Sequence, residues 1–172
     1  MNEKEYQTQF ELEKAKFFEA HPDCPHSEPI EVLNLIMRKE FAEEILKGEK
    51  KVEVRAYSKF YYDRLFDRKV LEWGEKHCDT DELAADFVDF AEPLRQVKTI
   101  RFSNYDKTWF LDVECVENYQ LAVVKEQVAY LQEAYDCHEF DELLSDLDKK
   151  KAKDRPMYFW FAIGNVLDTN LR

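Results

Sequence analysis

Three side chains with complementary chemistry sit close together in Gly48-Glu49-Lys50-Lys51-Val52-Glu53-Val54-Arg55. The planar fork of Arg55 suits a phosphate or a base edge, and Glu53 can orient that fork or accept from an amino group. Lys50, if buried, would have a lowered pKa and could activate water together with a carboxylate neighbour. Against this stands a plainer reading, an Arg–Glu pair on a strand surface that contributes about 0–1 kcal/mol.

The flanking residues say how such a cluster would be positioned. Phe41, Ala42, Ile45 and Leu46 mark one face of a short helix over 41–47. Gly48 follows where a helix hands over to a left-handed residue. Val52 and Val54 then alternate with Lys51, Glu53 and Arg55, the period of a half-buried strand. On that strand Glu53 and Arg55 share a face, roughly 7 Å apart at Cα. Lys50 has the opposite parity and must reach them from the turn. The spacing predicts a helix-to-strand corner on which all three converge.

The helix, the corner and the spacing G-x-K-x-x-E-x-R resemble the ASCH domain of the PUA-like superfamily. Leu33-Asn34-Leu35-Ile36-Met37-Arg38 is similar to that family's first strand, and Tyr158 to Val166 to its closing strand. The resemblance spans about residues 30 to 167. It implies an α+β fold: a small, mostly antiparallel β-barrel flanked by helices, here with an extra N-terminal helix and a helical insertion. It also implies a cleft at the barrel mouth that receives RNA or a nucleoside, with Lys50, Lys51, Glu53, Arg55, Tyr57, Arg38 and Tyr158 as ligand-binding candidates. Some small ASCH-like proteins are amidohydrolases that deacetylate acetylated cytidine through a Lys, a Thr and a late Glu. This chain keeps Lys50 but has Glu53 where the Thr would stand. Aligning on Asp141-Glu142-Leu143 places the late acid at Asp136, so the catalytic set implied is Lys50, Glu53 and Asp136.

Composition narrows the field. The chain has 172 residues, enough for one domain with a proper core, and 45% of them are hydrophobic. Thirteen Phe, nine Tyr and three Trp supply large burial units, while three glycines cannot build a phosphate-cradling loop. Net charge is −12, yet residues 38–69 carry ten Lys/Arg against seven Asp/Glu. An acidic body disfavours non-specific coating of nucleic acid. The positive window predicts a small cationic cleft for one nucleotide or a short single strand. No run approaches the ~20 apolar residues of a membrane span, and no signal-peptide layout opens the chain. Four scattered cysteines read as reduced thiols, which gives a cytoplasmic expectation.

Along the chain, 1–29 reads as an amphipathic helix (Tyr6, Phe10, Phe17, Phe18) and a His21–Pro29 linker. That helix would pack on the barrel or offer a surface to a protein partner. Residues 30–172 form the main domain, with an insertion at about 57–94. Within it, 57–66 is an aromatic helix, Val70-Leu71-Glu72-Trp73 a short strand stopped at Gly74, and Asp79-Thr80-Asp81-Glu82 a capping box for a helix ending near Pro93. Strands follow at 96–102 and 108–116, then helices on Val124–Tyr135 and Asp141–Leu147, then a basic loop, Lys149–Arg155.

Two other constellations are weaker. Tyr57, Phe60, Tyr61 and Tyr62 lie among Arg55, Lys59, Arg64 and Arg68, a mixture suited to stacking unpaired bases, although rings at helical spacing are more often core. His21, Cys24, His26, His77-Cys78 and Cys137-His138 carry zinc-ligand types without paired ligand spacings, so neither a metal nor a cofactor is expected. The functional expectations are an RNA- or nucleotide-binding domain, an amidohydrolase on a modified nucleoside, or a protein-interaction domain with a vestigial cleft.

Overall fold

The computed structural model describes residues 1–171. It is a mixed α+β chain with a five-stranded, mostly antiparallel sheet in the order β1-β3-β4-β5-β2 and seven α-helices among the described residues. None of those helices is long and apolar enough to cross a membrane. Contacts divide the chain into two compact units: Met1–Glu28 with Phe60–Arg95, and Pro29–Lys59 with the chain from Gln96 onward.

The first unit is helical. Asn2 caps α1 (Glu3–Ala20) with a reciprocal bond from Glu5. α3 (Lys59–Leu65) carries the aromatic run, and α4 covers Arg68–His77. This corrects the expected strand at Val70–Trp73. Asp67 accepts from Val70 N at 3.2 Å, an N-cap, and Val70, Trp73 and Gly74 then form one buried helical face. Four apolar-rich residues are too few to separate a strand from a helix by period. Gly74 does not stop the element either; it lies inside α4 under the ring of Phe87. α5 (Asp81–Asp86) is capped by Thr80, whose Oγ1 accepts from Leu83 N at 3.1 Å, so the expected reciprocal Glu is absent and the cap is one residue later. A π-turn over Phe87–Ala91 and a left-handed Glu92 end the helix before Pro93.

Gly74→Ala tests that packing. A Cβ there would lie 2.5 Å from Cζ of Phe87, itself packed on Trp73 at 5.9 Å between ring centres. Overpacking of this kind costs about 1–3 kcal/mol, against about 1 kcal/mol gained in helix propensity. The variant is expected to unfold at lower urea, and the double variant with Phe87→Leu to regain the loss.

The second unit holds the sheet. β1 (Ile30–Ile36) lies parallel to β3 (Val97–Ser103), with Leu33 opposite Ile100 and Leu35 opposite Phe102. α2 (Lys39–Leu46) leads through Gly48, at φ 75°, into β2 (Val52–Ala56). β4 (Phe110–Ala122) runs past the expected end at 116, because irregularities between Val113 and Asn118 let it follow β5 (Met157–Thr169) throughout. The alternation is interrupted there: Leu111, Val113 and Cys115 are buried before it, Asn118 is buried out of step, and Leu121 and Val123 then return to the first parity. Asn118, 1% exposed, accepts from Val97 N at 2.9 Å.

In β5 the residues from Phe159 to Ala162 are all buried, as a strand covered on both faces requires. Trp160 and Ala162 meet Val52, Leu121, Val123, Val128, Leu131 and Phe140 in one core cluster. α6 (Lys125–Tyr135) and α7 (Asp141–Lys149) supply its helical side.

The expected barrel is not closed. β1 and β2 are the two edges of the sheet, and no strand pairing joins them among the described residues. A side chain reaches across instead: Arg55 Nη2 donates to the carbonyl of Ile36 at 2.8 Å.

Candidate functional site

The corner forms as its spacing implies. Gly48 N and Lys50 N donate back to the carbonyls of Ile45 and Glu44, so the end of α2 is wound down tightly before β2 begins. Val52 enters the core cluster and anchors the strand. Glu53 and Arg55 share a face, with Arg55 Nε 3.4 Å from Glu53 Oε1. The opposite wall is the α6–α7 loop. Asp136 takes the left-handed conformation that caps α6, and Cys137 N bonds back to Leu131 O at 3.2 Å. Between these walls lies a cleft of about 530 Å³, lined on one side by Phe41 and residues from the 49–54 corner and on the other by Tyr135 to Glu139.

Glu53 is the unusual group. It is 7% exposed and pairs across the sheet with the fully buried Phe161. Its Oε2 has no hydrogen-bond partner among the described residues. Burial pushes its carboxyl above the usual range; Lys50 and Arg55 pull it back, and Glu139 adds to the rise. A buried acceptor without a donor costs free energy, so an N–H donor placed against it would be favourable.

Lys50 reaches the cleft from the turn. Its Nζ is 3.2 Å from Glu139 Oε1 and 5.6 Å from the centre of the Phe41 ring. Glu139 was not among the predicted residues. It lies 89 positions from Lys50, and no local spacing marks it. Asp136 also lines the cleft, but its carboxylate is 2.9 Å from His138 Nε2 and the acid that meets Lys50 is Glu139. Cys137, buried in the same wall, has its thiol pushed up by desolvation.

Of the other predicted residues Lys51 lines the cleft, whereas Arg55, which was expected to converge there, and Arg38, Tyr57 and Tyr158 do not. Lys51 is exposed on the lining. Arg38 is exposed at the start of α2, where its side chain makes no cap. Tyr57 stacks on Phe159 at 5.6 Å, and Tyr158 packs edge-on against Phe140 at 4.9 Å. Phe60 lies under Arg64 at 4.2 Å and Tyr62 against Phe66 at 4.7 Å, as packing partners within their own unit. His21 and His77 lie against Trp73, and His26 stacks on Phe18. No group of three or more His, Cys, Asp or Glu among the described residues could hold a metal ion.

The expected cationic character does not carry into the cleft. Of the ten Lys/Arg in 38–69, only Lys50 and Lys51 line it, beside Glu44, Glu49, Glu53, Asp136 and Glu139. A window of sequence sums charge along the chain, whereas side chains on a helix and a strand disperse it in several directions.

His138 gives a check on this wall. Its Nδ1 lies 2.8 Å from Asp141 and its Nε2 2.9 Å from Asp136, and those contacts raise its pKa, Asp136 first. The imidazolium is retained to higher pH than in an unstructured histidine. Its favourable contribution is complete below the unfolded pKa and fades as pH rises through the folded one. An NMR titration should give His138 a midpoint above about 6.5, the ordinary histidine value, falling in Asp136→Asn.

Comparison with family models, curated proteins and solved structures finds no match to this chain.

Proposed function

We propose that the cleft binds the base of a nucleoside, free or at an unpaired position in RNA, in the manner the ASCH resemblance implies. The observation that carries this reading is the unpartnered, buried Oε2 of Glu53 beside Lys50 in a cleft of about 530 Å³, a size that suits a nucleoside. An exocyclic amino or ring N–H can satisfy Oε2. Phe41 and Tyr135 offer flat apolar surface, and Lys50 Nζ can donate to a ring carbonyl.

Calorimetric titration with cytidine, guanosine and a short unpaired oligoribonucleotide tests the reading. Lys50→Ala is expected to weaken binding by about tenfold or more, the loss of one charge-assisted hydrogen bond. Equal affinity in wild type and variant overturns it.

The Lys50–Glu139 pair favours a second reading, the amidohydrolase. Lys50 polarises an amide carbonyl while Glu139 takes a proton from the attacking water and passes it to the leaving nitrogen, so that the C–N bond breaks to give an amine and a carboxylic acid, which ionises. Incubation with acetylated cytidine should then release cytidine and acetate, with turnover lost in both Lys50→Ala and Glu139→Gln. Turnover no greater in wild type than in Lys50→Ala excludes it.

A further inference from the structure

We infer that the cleft selects an unphosphorylated base or nucleoside that presents N–H donors, and rejects the same compound carrying a phosphate; the inference rests on the nucleoside reading above. Three independent features of the walls lead there.

The first is the charge inventory. Five carboxylates line the cleft against two lysines, and Lys50 is already engaged by Glu139 at 3.2 Å. The imidazole of His138 is held between Asp136 and Asp141. The acidic surface continues past Glu139 into an adjoining depression lined by Glu142 and Asp146, with Lys149.

The second is the polarity of the helices. Both α2 and α6 direct their C-terminal ends at this site, the first through Glu44, Glu49 and Lys50, the second through Tyr135 and Asp136. Their last carbonyls are taken up by backbone N–H groups of the turns that follow, and what reaches the site is the negative pole of each helix dipole. α7 begins just beyond Glu139, but Asp141 and Glu142 occupy its first turn. A phosphate would meet a potential of its own sign from each of them.

The third is Glu53. An acceptor that is 7% exposed, with Oε2 unpartnered, admits a donor and offers nothing to a phosphate oxygen. Cytosine and guanine carry an exocyclic amino group for it; uracil offers only a ring N–H flanked by two carbonyls, which would face the carboxylate. All three features favour a neutral, donor-bearing ligand.

Titration of wild-type protein at low salt with cytidine, guanosine, uridine and the 5′-monophosphates of the first two tests this. Cytidine or guanosine should bind about tenfold or more tightly than its monophosphate, because the added charge meets an excess of carboxylates at close range. The gap should narrow at high salt, where exposed charges are screened. It should also narrow in Glu44→Lys/Glu49→Lys, which reverses two charges on the α2 side. A monophosphate that binds as tightly as its nucleoside overturns the inference and leaves the nucleoside reading standing. Uridine equal to cytidine overturns the role of Glu53 as the selector of an exocyclic amino group. Binding by none of the five, nor by the oligoribonucleotide, removes both the inference and the reading beneath it.

Discussion

Glu53→Gln is expected to raise the stability of the protein and to weaken its ligand binding. The two effects have one origin. A charge on Glu53 lies at a 7% exposed position opposite Phe161, where the environment on balance disfavours the ionised form. Lys50 and Arg55 offset the burial only in part. Gln keeps the shape and removes the charge. Arg55 is not stranded by the change, since its Nη2 still donates to Ile36 O at 2.8 Å. The gain should be on the order of 1 kcal/mol, read as a rise of about 2–4 °C in Tm. Affinity for an amino-bearing nucleoside should fall about 10–100-fold, because a hydrogen bond to a charged acceptor becomes one to a neutral amide. A variant that binds as well as wild type would sever Glu53 from recognition.

The pH dependence fixes the sign. The folded pKa of Glu53 is raised, so in the window between the unfolded and folded values the folded state holds a proton that the unfolded state has released. This contribution to wild-type stability therefore declines as pH rises through that window. The advantage of Glu53→Gln should be smallest well below the unfolded pKa, where the carboxyl is protonated in both states, and should grow as pH rises through the window between the unfolded and folded values. Urea titrations of both proteins at a series of pH values measure it.

Much of the site's frame was legible because its signals are local. A four-residue apolar face, one glycine at φ 75° and a period-two alternation sufficed for α2, the turn and β2. The pairing of Glu53 with Arg55 followed from strand parity. What sequence could not supply is contact across long stretches of chain. Glu139 meets Lys50 only because α6, its left-handed cap at Asp136 and the sheet bring the loop back over the corner. The same limit applies to the sheet. Open and closed forms differ in whether β1 meets β2, and the alternation within each strand is identical in both. The misread element, α4, failed for a different reason. Val70-Leu71-Glu72-Trp73 fits either period, and the deciding residue was the cap, Asp67, outside the apolar run. Charge was legible only as a sum. Ten cations in 38–69 suggested a positive cleft, and the cleft is lined by two of them.

Trp160→Ala is expected to have the largest effect on stability, and to damage the site from beneath. Trp160 is 3% exposed, pairs with Val54 of β2 and touches Tyr119, Tyr130 and Tyr135 at 5.5, 5.9 and 6.0 Å between ring centres. It therefore lies between the strand that carries Glu53 and the helix whose end sets the opposite wall. Tyr130 and Tyr135 are tied further by donating their hydroxyls to the same oxygen of Glu117, which pushes the Tyr130 hydroxyl up to about 12. Truncation leaves a cavity among these rings and should cost about 3–5 kcal/mol. Tyr135 lines the cleft, so loss of its support should loosen the Asp136–Glu139 wall and weaken nucleoside binding under conditions where the variant remains folded. Trp160→Phe keeps an aromatic ring in the slot and should retain most of both properties. Urea unfolding of the three proteins, with nucleoside titration on the folded fraction, separates the effects. If Trp160→Ala loses stability yet binds the nucleoside as wild type does, the wall is held by the α6 cap and the Lys50–Glu139 pair alone.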